Sequence, residues 1–380
     1  MALEGRKLRA FVALALFLLA ACARESAPQA PIFHEEGYPA NLSDWRLMSA
    51  ADGVLTLNAG VTPYDLATPL FSDYALKLRT LTLPKGAAAI YSSENVFDFP
   101  VGTIISKTFY YSQTGDQWSG GVTYGPAPSV ADGVMPLKGL RLIETRLLVR
   151  RTDGWVAIPY VWNADQSEAT LHRTGAAIPL TLHRPDGREE AFTYVVPNQN
   201  QCAGCHATNN TTRVLSPIGP KARHLNKPST FKAGINQLDY WVLAGMLTGV
   251  PDDLGAAPKN AVWTDETASL DARARAYLDA NCSHCHSDVG PADTSGLDLR
   301  PSIAFGPHYG DCKTPVAAGG GSGGRLFDIV PGKPDQSIFV YRMTTTRPGD
   351  MMPELGRSTT HEEGVALIAD WIAAMQGDCS

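Results

Sequence analysis

The chain has 380 residues, of which 44% are hydrophobic and 18% charged. That length suits two or three domains with sizeable cores, and the composition excludes global disorder. A net charge of −6 leaves no basic footprint for nucleic acid, and 35 glycines with 27 prolines favour turns and β-structure over long charged helices.

The N-terminus reads as a leader. Arg6, Lys7 and Arg9 precede an apolar run from Ala10 to Leu18, too short to span a bilayer and suited to a secretory signal. It ends in Leu19-Ala20-Ala21-Cys22, which resembles the box of bacterial lipoproteins. The resemblance implies a signal peptide over 1–21, cleavage before Cys22, and lipidation of Cys22 that gives a stable membrane anchor. Ala23 stands where an Asp would imply inner-membrane retention, so the outer membrane is the expected face. The remainder is expected in the periplasm or at the surface, an oxidising compartment. Residues 22–44 are expected to form a tether, flexible over 23–33.

From 45 to 196 the pattern is β. Runs rich in Thr, Ile, Val and aromatics predict strands over 76–83, 103–111, 140–150 and 155–162, bounded by Gly, Pro and Asp signals. Asp153-Gly154 predicts a hairpin between the last two. The spacing suits a sandwich or open barrel. Trp118, Trp155, Tyr160 and Trp162 are read as strand core, or else as a surface for a partner or sugar.

The texture changes over 197–251, a polar loop followed by a helix expected over 236–248. A linker covers 252–263. Region 264–380 is expected to open with a helix over 264–280 capped by Thr264, and to close with one over 362–375 behind a Thr360/Glu363 capping box. The run Gly319–Gly324 lacks the preceding strand and the Lys-Ser/Thr ending of a phosphate-binding loop, and is read as a flexible loop.

Cys202-Ala-Gly-Cys205-His206 and Cys282-Ser-His-Cys285-His286 both fit the haem c attachment pattern. Two thiols three apart on one turn can each add to a vinyl group, and the next His then stands beneath the iron as proximal ligand. At this chain's Cys and His frequencies one accidental match is expected in roughly three of a thousand such chains, so two indicate two haem c groups. A zinc site or two disulfides are the alternatives; the pairs lie further apart than in a zinc ribbon, and zinc does not require the following His. His284 is treated as a spacer. Cys312 and Cys379, the two cysteines left over, are most simply a disulfide in an oxidising compartment.

Helix, attachment motif, Met-bearing loop and final helix, with VPGKPDQSIFVYRM, MMPELG and VALIADWI, resemble a class I cytochrome c domain. The resemblance implies Met352 as distal ligand of the second haem, with Met343 and Met351 as rivals and His308 and His361 as weaker, solvent-facing ones. For the first haem, Met246 or His224 are the local candidates. Phe99-Pro-Val-Gly-Thr103 with Lys107 resembles β-rich cytochromes c′, whose relatives bear a lysine–haem crosslink; otherwise Lys107 reads as a strand-edge surface lysine.

PYDLATPLFSDYALKLR, FPVGTIISKTFYY, LIETRLLVRRTDGWVAIPYVWN, PNQNQCAGCH and SPIGPKARHLN, within 60–380, are similar to a family of bacterial dihaem c-type cytochrome lipoproteins. The resemblance implies a multidomain chain, a mainly β sandwich or open barrel followed by an α-helical cytochrome c-like domain. It implies electron transfer between a dehydrogenase-type redox protein as donor and a downstream acceptor, with no catalytic residue assigned. The alternative is a dihaem redox enzyme, peroxidase-like or a small-molecule oxidoreductase, with an open first haem.

Overall fold

A computed structural model describes residues 29–316 and 318–379; the expected leader and Cys22 lie outside the described residues. The chain is tied down from Ile32, whose N–H donates to Trp45 O at 2.9 Å. Phe33 and Tyr38 pack on the core, and Tyr160 donates its hydroxyl to Pro39 O at 2.9 Å. Residues 32–44, expected to be tether, are therefore held on the domain.

The strands are β1 (Met48–Ala51), β2 (Val54–Leu57), β3 (Val61–Tyr64), β4 (Leu76–Thr82), β5 (Ala89–Ile90), β6 (Ile104–Gln113), β7 (Gly121–Thr123), β8 (Val134–Pro136), β9 (Leu140–Arg151), β10 (Gly154–Trp162), β11 (Ala169–Leu171), β12 (Ala176–His183), β13 (Glu189–Val196) and β14 (Leu247–Thr248). Nine of them form one sheet in the order β11-β10-β9-β6-β7-β12-β13, with β4 paired to β6 beside β7 and β3 paired to β4. The helices are α1 (Cys202–His206), α2 (Ala222–Leu225), α3 (Gln237–Leu243), α4 (Leu270–Asn281), α5 (Ile338–Thr344) and α6 (Glu362–Ala373).

Strand alternation gives the sheet two unlike faces. One bears Leu78, Ile104, Tyr110, Leu147, Ile158, Tyr160 and Trp162 and packs on Trp45 and Leu47. The opposite face carries apolar groups at its two ends, Leu81, Ile105 and Leu148 at one and Phe109, Tyr111 and Tyr194 at the other. Between them runs a charged row, because Arg79 pairs with Lys107 and Lys107 with Arg146 across three strands. Lys107 thus stands on a central strand, not at the edge where the sequence suggested it. A bulge where the register shifts between Phe109 and Tyr110 adds Ile143 to the Phe109 side. Tyr160 and Trp162 face one side of the sheet and Trp155 the other, so these aromatics share no surface.

The expected α-helical, cytochrome c-like C-terminal domain is not what forms. The protein is β-rich, 26% strand against 19% helix, with a half-barrel sheet. Beyond residue 264 three helices of 12, 7 and 12 residues are separated by long loops and 3₁₀ turns. The physical reason is the Gly-, Pro- and Ser-rich stretch between α4 and α5, which cannot propagate a helix. Gly319–Ser322 is one of its 3₁₀ turns.

This segment also does not stand apart from the sheet. Asp73 accepts from Ser358 N (2.6 Å) and Thr359 N (2.9 Å), Phe71 N donates to Asn281 Oδ1 (2.8 Å), and Arg188 grips Glu362 (2.7 Å). The expected helix caps are replaced as well, although the last helix still begins at Glu362. Thr264 does not cap: Asp265 turns back onto Thr267 N at 3.0 Å, and Ser269 caps α4 by accepting from Ala272 N. Thr360 donates to Thr344 O at 2.7 Å, and Glu363 accepts from the hydroxyls of Tyr74 and Tyr124, so neither forms the expected capping box. The helix expected over 236–248 ends at Leu243, because Gly245 takes φ +69° and Leu247–Thr248 pair with β5.

Candidate functional site

The first motif forms a single helical turn, α1, on the charged face of the sheet. Its lead-in is fixed by a reciprocal pair: Gln201 N donates to Asn198 Oδ1 (2.8 Å) and Asn198 N to Gln201 Oε1 (2.9 Å). His206 Nδ1 lies 3.0 Å from Ser216 O. A carbonyl only accepts, so Nδ1 carries the proton and Nε2 presents its lone pair. Burial pushes this imidazole down to about 4, with the Lys107 charge adding to the effect.

The second motif leaves the end of α4, whose Ala274, Tyr277 and Leu278 pack against Leu367, Ile368, Trp371 and Ile372 of α6. His286 Nδ1 lies 3.1 Å from Ser295 Oγ, and that hydroxyl donates to Ala292 O at 2.7 Å. With its hydrogen spent there, the serine oxygen accepts from Nδ1–H, again leaving Nε2 unprotonated. Burial holds His286 down to about 4.

The two motifs meet. Cys285 Sγ lies 3.8 Å from Gly204 O, and Gly204, Cys205, Cys282, Cys285 and His286 share one cavity of about 560 Å³. Met352 and Met343 also line it; Met351, the other rival, does not. The Met352 turn is pinned by Arg357, which donates to the carbonyls of Met352 (3.0 Å), Thr359 (3.1 Å), Arg342 (3.0 Å) and Thr345 (2.7 Å). Nothing in the spacing of the sequence marked this arginine.

These residues fit haem c. Each motif offers two free thiols beside an imidazole with its Nε2 lone pair available, and the shared cavity sets a thioether opposite the attachment turn. They fit zinc less well: among the described residues no three His, Cys, Asp or Glu side chains converge to hold a metal ion.

His284, passed over as a spacer, lines the cavity at 8% exposure, and its Nδ1 has no partner. His361 is not solvent-facing: its ring stacks on Phe71 at 4.2 Å and Tyr277 bonds its Nδ1 at 2.8 Å. His308 is exposed. Of the candidates for the first haem, Met246 sits in an apolar cluster, where its sulfur accepts from Thr62 Oγ1 at 3.5 Å. His224 is buried with Nε2 3.0 Å from Asp279 Oδ2 on α4. Neither lines the cavity.

Cys312 and Cys379 are bonded, with Cα atoms 5.2 Å apart and a sequence separation of 67. A loop of that size corresponds to about 4 kcal/mol of stabilisation in the chain-entropy model. Among the described residues no helix is long and apolar enough to cross a membrane.

No protein-family model matches this chain, and neither a curated protein nor a solved structure does.

Proposed function

We propose that the protein is a dihaem c-type cytochrome, attached through Cys202/Cys205 and Cys282/Cys285 with His206 and His286 as proximal ligands, that carries electrons between a dehydrogenase-type redox protein and a downstream acceptor. The observation that carries this reading is the approach of two attachment motifs, Gly204 and Cys205 of the first lining the cavity that holds Cys282, Cys285 and His286 of the second, with each proximal His held in the tautomer that frees Nε2. Haem c supplies a one-electron couple when bound. The chain positions it: Ser216 and Ser295 orient the imidazoles, and Arg357 holds Met352 where a thioether ligand raises the potential. The lipid on Cys22 would confine the carrier to a membrane surface, with the outer membrane favoured.

A second reading, a dihaem redox enzyme with an open first iron, draws support from Met246 and His224, both engaged by protein partners, Thr62 and Asp279. Carbon monoxide added to the reduced protein separates the two. A pure carrier shows no spectral change at either haem; the open-iron reading requires one carbon monoxide per chain, at the haem that persists when the second motif is changed by Cys282→Ala and Cys285→Ala. Binding at neither haem removes the enzyme reading.

A further inference from the structure

The charged row on the sheet face is a placement that chain folding alone does not favour. Arg79, Lys107 and Arg146 stand directly opposite one another across β4, β6 and β9, and Lys77 occupies the neighbouring row beside Phe109. Like charges in such cross-strand positions are destabilising, and more so out of water. Arg79 is only 7% exposed. The Phe109 ring is approached by three cations, Arg146 at 4.4 Å, Lys107 at 5.1 Å and Lys77 at 5.8 Å.

The carboxylates around the row are largely committed, Asp65 Oδ1 alone having no partner. Glu144 takes Arg146 Nε at 2.8 Å and the Tyr194 hydroxyl at 2.7 Å. Asp65 takes Lys227 at 2.6 Å, and Asp73 takes the backbone of Ser358 and Thr359. Lys77 donates to the Ala75 carbonyl at 2.8 Å, and Lys77, Arg79 and Lys107 form no ion pair with any described residue. Of the four cations only Arg146 is ion-paired, to Glu144.

We infer that Lys77, Arg79, Lys107 and Arg146 form an anion-binding site, beside the first Cys-x-x-Cys-His turn, whose ligand is a carboxylate or a small oxyanion. Cation fork and ammonium groups on a half-buried, apolar-walled face suit a planar or tetrahedral oxyanion held by several charge-assisted hydrogen bonds. Burial first, then the charges of Arg146 and Arg79, push Lys107 down to about 7, and a bound anion opposes both. Two sources share this chemistry: a diffusible anion, and the carboxylate side chains of a haem attached at Cys202 and Cys205. Only the second source rests on the haem reading.

The test uses the purified full-length protein, with Lys107→Gln and Lys77→Gln as separate variants so that one failure to fold does not end it. Titration calorimetry with sodium acetate, then with sodium nitrite, reads the diffusible source. Saturable binding, weakened about tenfold or more in either variant, supports the site. If the haem carboxylates fill it, added anions do not bind; instead the first haem's midpoint potential falls in both variants, because loss of a nearby positive charge favours the oxidised state. Absence of haem with anion binding intact would leave this inference standing while removing the proposed function. The inference is overturned if neither anion binds and the potentials do not move; the row is then unrelieved repulsion, and both variants melt higher than the parent.

Discussion

At the scale of single residues, the two histidines show why an adjacent hydrogen-bond acceptor matters as much as the ligand. A backbone carbonyl at His206 and a serine hydroxyl already donating elsewhere at His286 each dictate the same tautomer. Cys-x-x-Cys-His was readable in the sequence because its chemistry is local, five residues on one turn. Arg357 was not, since its four carbonyl partners are brought together only by the fold of the Met352 turn. Arg357→Ala leaves those carbonyls without their donor and should destabilise the protein by about 2–4 kcal/mol in denaturant unfolding. In potentiometric titration it should also lower the potential of the second haem in the same direction as Met352→Ala. Unchanged stability would show that water replaces the guanidinium freely.

At the scale of elements, the His361 ring joins the sheet side to the helices, stacked on Phe71 and hydrogen-bonded through Nδ1 to the Tyr277 hydroxyl of α4. Burial pushes it down to about 4, outweighing Glu363, which raises it. The folded imidazole therefore stays neutral while the unfolded one takes a proton near 6.5, so the unfolded state binds more protons between those values. Stability should be fully present above about pH 6.5 and fall by about 3 kcal/mol as the pH drops toward 4. His361→Phe should remove that share of the pH slope, measured by urea unfolding from pH 4 to 7. An identical slope in the variant would assign the acid sensitivity to other groups.

The strands were legible for a reason the helices were not. Strand runs over 76–83 and 140–150 end within a residue or so of β4 and β9, because period-two alternation and Asp-Gly turns are local signals. The last helix begins at Glu362 as expected, but its capping box was lost to tertiary partners, Glu363 to Tyr74 and Tyr124 and Thr360 to Thr344. The charge of Lys107 was visible but its setting was not, since only the register with Arg79 and Arg146 shows a central strand.

At the scale of the whole molecule, the half-barrel sheet serves as a floor on which both attachment motifs are brought side by side. The first stands on its charged face, and the second arrives on α4, whose Asn281 bonds Phe71 N. The disulfide between Cys312 and Cys379 closes the far end of the same segment. Such a layout brings the two motifs together without a separate helical domain, so the resemblance to a helical cytochrome c domain misjudged the C-terminal architecture. The central claim is that both motifs carry covalent haem. The most direct measurement is a pyridine haemochrome assay on protein denatured and extracted with acid acetone. Two haems per chain retained after extraction are expected; one, or none, would contradict the account.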